Sequence, residues 1–263
     1  MDIMETEAFT TPMENIRTVA SQKILNMIFI VDTSGSMLYE GRIEAVNAAF
    51  REMIPTLRKV QQDVNTEFEL RLAIMTFNQS ANWLVTPTPI LEYDHKDIPC
   101  SRSVTYYSEA FKALREKLSR SGYMAHGGKI AVPYIMFMTD GAPSKNDNYA
   151  AELDELNKNG WYQSSQRFAV LIGQGAINSP DARNAVRLFV TNEKEGIIDA
   201  KDAVAIAREV QARTLRTVNA MTKHVVQDDS DTTLFGVTNS GGDSGFGGFG
   251  SFADMDFDDS SFI

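Results

Sequence analysis

Residues 27 to 31, MIFIV, are five apolar residues that run without a break into Asp32. A strand with one wet face alternates apolar and polar residues, so a continuous run demands cover on both faces. The same kind of run returns at the end of FELRLAIMTF (68 to 77), in VPYIMFM (132 to 138) and in FAVLIG (168 to 173), with a short last strand at GII (196 to 198). Between them lie segments of helical period. Ile43, Val46, Phe50, Met53, Leu57 and Val60 recur at steps of three and four, and Ala203, Ile206, Val210, Thr214, Val218 and Met221 do the same near the end. Strands that alternate with helices imply a doubly wound α/β fold, with a mainly parallel central sheet and helices on both faces.

Punctuation along the chain refines this. Pro55 is expected to kink the first helix, because its ring removes a backbone donor. NWLVTPTPILEY reads as a strand weakened by Pro87 and Pro89, and so as a sheet edge. A helix is expected over 105 to 120, another over YAAELDELNKNG closed by Gly160, and a third opened by Ser179 as cap with Pro180 in its first turn.

The chain of 263 residues divides into an N-terminal extension (1 to 22), one domain (23 to 226) and a tail (227 to 263). The tail holds eight aspartates and no Lys, Arg or Glu, leaving 27 acidic against 25 basic residues elsewhere, a net of −2 out of −10. Its Gly, Ser and Asp, with single phenylalanines, cannot bury enough apolar area to offset ordering, so disorder is expected. Neither part offers a basic face, which argues against nucleic acid. No apolar run spans a bilayer, and the polar, acidic start does not read as a secretory signal. One cysteine, Cys100, fits a reducing cytoplasm.

In such a sheet, ligands bind beyond the carboxyl ends of the strands. Asp32 ends the first strand, and Ser34 and Ser36 follow at alternate positions. Asp140 ends a later strand, with Gly141 free to turn tightly after it. Two carboxylates and two hydroxyls are hard oxygen donors, a set that suits Mg²⁺ or Mn²⁺ and does not select zinc. The bland reading of Asp32, Ser34 and Ser36 is a helix N-cap after a strand.

These residues resemble a known family. Asp32-Thr33-Ser34-Gly35-Ser36 matches the DxSxS motif of von Willebrand factor type A domains, and Thr139-Asp140-Gly141 matches their TDG element. SVTYYSEAFKALREKL is similar to the family's threonine loop, which implies Thr105 as a further ligand; Ser103, Val104 and Ser108 stand where that pattern has other residues, glycines included. The bland alternative is that Thr105 caps the helix from 105. The resemblance covers roughly residues 23 to 222. It implies a metal-ion-dependent adhesion site in which Asp32, Ser34, Ser36, Thr105 and Asp140 hold the cation and a partner's carboxylate completes it. Related domains couple that event to a shift of the last helix, here 201 to 221. Within the superfamily, VDTSGSM, RIEAVNAAF, MTDGAPS and FAVLIGQGA look most like bacterial TerY-type proteins. That likeness implies a cytoplasmic role in tellurium resistance or stress response, with a protein kinase and a protein phosphatase as partners.

A non-enzymatic binding module is therefore expected. A metal-dependent hydrolase or phosphotransferase lacks an evident nucleophile, base or arginine clamp here; a subunit of an ATPase-chelatase-like assembly is a further alternative. GGDSGFGG (241 to 248) mimics a serine-protease nucleophile segment, yet none of His95, His126 and His224 has the context of a base. GQGA (173 to 176) lacks the Lys-Ser/Thr of a phosphate loop. Cys100 reads as an inert loop or packing residue, and His126 as a solvated one. Aspartates between 254 and 259 could occupy the open metal position of a second copy, a route to self-association through the tail.

Overall fold

The computed structural model describes residues 23–63, 68–124 and 130–227. The extension over 1–22, nearly all of the tail and His126 lie outside them, as do the side chains of Met221 and His224. Among the described residues no helix is long and apolar enough to cross a membrane.

Six strands form one sheet: β1 (Lys23–Asp32), β2 (Phe68–Phe77), β3 (Ala81–Pro89), β4 (Tyr134–Thr139), β5 (Gln166–Ile172) and β6 (Ile197–Ala200). Their spatial order is β3-β2-β1-β4-β5-β6, and every pairing except β2 with β3 is parallel. The expected architecture is therefore the observed one. β1 lies between its sequence neighbour β2 and the later β4, so the chain winds outward from β1 in both directions. The crevice at the carboxyl ends of β1 and β4 is the switch point of this topology.

Alternate side chains of β1 feed two cores. Leu25, Met27, Phe29 and Val31 join the layer that contains α1 (Arg42–Asp63) and α8 (Ala203–Gln227). Ile28 and Ile30 join the layer of α2 (Tyr107–Lys117), α3 (Tyr149–Leu156) and α6 (Pro180–Phe189). That two-sided burial is the physical reason for the unbroken apolar run.

The local signals met the fold in different ways. α1 passes through Pro55 as one uninterrupted helix. Pro55 lies on the exposed face, where water can satisfy the carbonyl left without a donor. β3 is an antiparallel edge strand that ends at Pro89, and Thr86 and Pro87 together oppose Ala73 in a bulge, where a missing donor costs least. Gly160 does not close a helix: α3 stops at Leu156, and Gly160 opens α4 (Gly160–Ser164), capped by Asn159 Oδ1 accepting from Tyr162 N at 3.0 Å. α5 (Gly173–Ile177) follows β5 directly, and α7 (Glu193–Gly196) precedes β6. Ser179 caps α6 as expected, accepting from Ala182 N. Ala203 starts α8 but is exposed, while Ile206, Val210, Thr214 and Val218 form the buried stripe.

Thr214 is a polar residue on that stripe, and its hydroxyl meets Tyr134 Oη at 3.0 Å. Both residues are fully buried. Tyr134→Phe would strand the threonine hydroxyl, and we expect a loss of about 1–2 kcal/mol in urea unfolding. The double change with Thr214→Val should recover much of that loss, because it removes both polar partners together.

Candidate metal centre

The site begins with register. Val31 pairs with Met138, so Asp32 comes level with Thr139 and Asp140 lies one residue beyond. Asp32 is fully buried. Its Oδ1 accepts from Ser34 N at 2.8 Å, which folds the chain back over the strand end, and its Oδ2 accepts from Thr139 Oγ1 at 2.7 Å. A 3₁₀ turn (Gly35–Leu38) then carries Ser36 towards β4. Ser34 Oγ and Ser36 Oγ are 3.2 Å apart, and Ser36 Oγ donates to Asp140 Oδ1 at 2.7 Å. Ser34 occupies the N-cap position of this turn without making a side-chain cap, so the capping alternative does not account for its hydroxyl.

Thr105 lies in the loop that closes over these turns. Gly35 N donates to Ser103 O at 3.0 Å, Ser144 N to Thr105 O at 2.9 Å, and Tyr106 N to Asn78 O at 2.9 Å. Thr105 is buried, 8% exposed, but it does not cap α2. That role belongs to Asp147, whose carboxylate accepts from Tyr107 N at 2.6 Å and Ser108 N at 3.2 Å. A negative charge at a helix N-terminus is favourable, and here it arrives from a different loop. The Thr105 hydroxyl is thereby left for another use. Tyr107 ties the two loops together, its Oη donating to Gly141 O at 2.6 Å.

Residues beyond the five expected ligands complete the site. Thr139 holds Asp32, as above. Arg42 Nη1 donates to Asp140 Oδ2 at 2.7 Å, and its Nη2 to Glu40 Oε2 at 2.5 Å. Burial pushes the Arg42 guanidinium's pKa down, but its bonds to Glu40 and Asp140 outweigh that and leave it above the ordinary arginine value. Glu40 (φ 56°) and Gly41 (φ 67°) are both left-handed, a tight reversal that carries the chain from the 3₁₀ turn into α1. Cys100 sits beneath the serine turn, its thiol 3.3 Å from Thr33 O and 3.2 Å from Ser34 O. Burial pushes that thiol up to about 11, in keeping with an inert packing residue. His95 lies elsewhere, bonded to Tyr93 Oη at 3.1 Å.

Asp32 is the perturbed acid of the site. Burial first, opposed by its bonds to Ser34 and Thr139 and reinforced by the nearby Asp140 charge, pushes its carboxyl up to about 6. Such a carboxylate lacks positive charge around it. The described residues contain no group of three or more His, Cys, Asp or Glu that could hold a metal, so the centre has two carboxylates and otherwise hydroxyls. That donor chemistry fits a hard divalent cation with few protein charges and leaves it under-neutralised.

No protein-family model matches the chain, and no curated protein matches it either. Solved structures do. The chain is similar to proximal thread matrix protein 1 of the mussel byssus with zinc occupied MIDAS motif (16% identity, TM-score 0.52, 71% of this chain and 46% of that one). It is similar to a von Willebrand factor type A protein from Catenulispora acidiphila (13% identity, TM-score 0.52, 73% and 42%). It is also similar to the pilus adhesin SpaC from Lactobacillus rhamnosus GG in its open conformation (14% identity, TM-score 0.54, 78% and 30%). The chain spans less than half the length of each. Its fold is that of the von Willebrand factor type A domain, a Rossmann-like α/β sheet.

Proposed function

We propose that the chain is a metal-ion-dependent protein-binding module rather than an enzyme. Asp32, Ser34, Ser36, Thr105 and Asp140 hold Mg²⁺ or Mn²⁺, directly or through water, and a carboxylate of a partner protein completes the ion's neutralisation. The observation that carries this reading is the chain of short contacts from Asp32 through the two serine hydroxyls to Asp140, at the switch point of the sheet. A buried acid raised to about 6 supports a resident cation, and a donor set with only two charges supports an acidic visitor.

A protein partner is favoured by what surrounds the site. Leu38, Tyr39 and Val104 are 41%, 68% and 48% exposed, and they lie in the two segments that form the serine turn and the threonine loop. Exposed apolar side chains around a polar centre offer area that a protein partner can bury. The finer setting rests on the likeness of VDTSGSM and MTDGAPS to TerY-type proteins. We propose a cytoplasmic stress-response or tellurium-resistance system with a protein kinase and a protein phosphatase as partners, and self-association through the aspartates of the tail as a competing mode.

Magnesium-dependent affinity capture from the native cell, with wild type and Asp32→Asn side by side, tests the reading. Partners retained with Mg²⁺, released by chelator and missing from the variant support it. Metal-dependent turnover of phosphate esters lost in the same variant would replace it with a hydrolase.

A further inference from the structure

Arg42 stands where a cation is wanted. Its side chain is 16% exposed and bonds to an Asp140 carboxylate that is wholly buried. This inner position is a made place. Gly173, at the end of β5 with φ +78°, turns a bare Cα towards the guanidinium; a Cβ there would stand 3.3 Å from Cζ, Nε and Nη2. The same position is nevertheless incompletely satisfied. Arg42 Nε is buried without an acceptor among the described residues. Arg42 is also the first residue of α1, where the helix dipole disfavours a positive charge. A second anchor stands outside: Glu40, with a side chain 73% exposed, holds the other arm of the guanidinium at 2.5 Å.

We propose that Arg42 is a resident cation that competes with the metal. It neutralises Asp140 in the metal-free chain and gives up that carboxylate, keeping Glu40, when a divalent ion enters. The inference rests on the metal-centre reading above and adds a tuning element to it. Two cations on one carboxylate repel strongly in a partly buried site, so the guanidinium must weaken metal affinity whether it leaves or stays. The outer anchor makes leaving feasible, since one ion pair survives the exchange. The site then holds metal less tightly than its oxygen donors alone would allow, and half-saturation moves to a higher cation concentration.

Calorimetric titration of Mn²⁺ into the chelator-stripped full chain tests this, with free Mn²⁺ followed by electron paramagnetic resonance. Arg42→Gln keeps an amide donor for Asp140 and removes the charge; it should tighten Mn²⁺ binding tenfold or more. Arg42→Lys keeps the charge and should stay within about threefold of wild type. Glu40→Gln strengthens the hold of Asp140 on Arg42 and should weaken Mn²⁺ binding in wild type but not in the Arg42→Gln background. Unchanged or weaker binding in Arg42→Gln overturns the proposal, weaker binding marking Arg42 as a residue that merely positions Asp140. If wild-type binding survives Asp140→Asn, or if neither wild type nor Arg42→Gln binds Mn²⁺, the metal centre itself falls and this inference with it. Binding that needs Asp140 yet does not tighten in Arg42→Gln sinks the competition alone.

Discussion

Asp32→Asn is expected to abolish divalent-cation binding and, at neutral pH, to make the metal-free chain more stable. The two effects share one cause. Asp32 is fully buried, and in the folded chain its carboxyl is raised from 3.8 to about 6, chiefly by burial. Each pKa unit corresponds to about 1.4 kcal/mol, so holding the ionised form costs the metal-free fold on the order of 2–3 kcal/mol above pH 6. An asparagine keeps the shape and removes the charge. Its Oδ1 still accepts from Ser34 N, and its amide can donate to Thr139 Oγ1, whose own hydroxyl has Gly141 O at 3.2 Å as an alternative acceptor.

The pH dependence fixes the sign. Between about pH 4 and pH 6 the folded chain retains a proton on Asp32 that the unfolded chain has already lost. Stability therefore falls as pH rises through that window, and above it the full cost is present. Urea titrations of the metal-free protein should show Asp32→Asn ahead of wild type at pH 7.5 and level with it near pH 4. Saturating Mg²⁺ should reverse the order at pH 7.5, since a ligand at 100 times its Kd stabilises by about 2.7 kcal/mol. Equal stability of the two proteins at pH 7.5 without metal would show that the carboxylate is not strained by its burial.

How much of this could be read from residues alone depends on whether the determining contact is local. The apolar run into Asp32 is a local signal with one explanation, a strand covered twice, and the sheet obeys it. The stripe through Ile43, Phe50 and Leu57 likewise becomes one face of α1, since periodicity records which side is buried. Pro55 does not end α1, and it lies on the exposed face, where water can satisfy the carbonyl it leaves without a donor. Gly160 misled because Asn159, beside it, was the stronger signal, a cap that opens the next helix. Asp32, Ser34, Ser36 and Asp140 were legible because strand ends and alternation place them on one edge. Asp147 and Arg42 were not, since the helix that Asp147 caps begins 40 residues before it and the acid that Arg42 holds lies 98 residues after it. Arg42 looks like the solvated first residue of an amphipathic helix until β4 and β5 are packed beside it.

Asp140→Asn is expected to lose the cation as completely as Asp32→Asn, but with the opposite effect on the metal-free fold. Asp140 faces a guanidinium, Asp32 does not, and that neighbour decides the sign. Removing one partner of a buried ion pair leaves the other charge desolvated, which costs several kcal/mol when the survivor is fully enclosed. Arg42 retains Glu40 and some contact with water, so a loss of about 2 kcal/mol is the reasonable expectation. Ser36 also loses a charged acceptor for its 2.7 Å bond, which adds to the loss. Urea unfolding of Asp140→Asn and of Asp140→Asn with Arg42→Gln measures the difference, and the second change should restore most of the stability that the first removes. Two carboxylates at the edge of one sheet, replaced by the same amide, would then move the same fold in opposite directions, because one is held by hydroxyls and backbone and the other by an arginine.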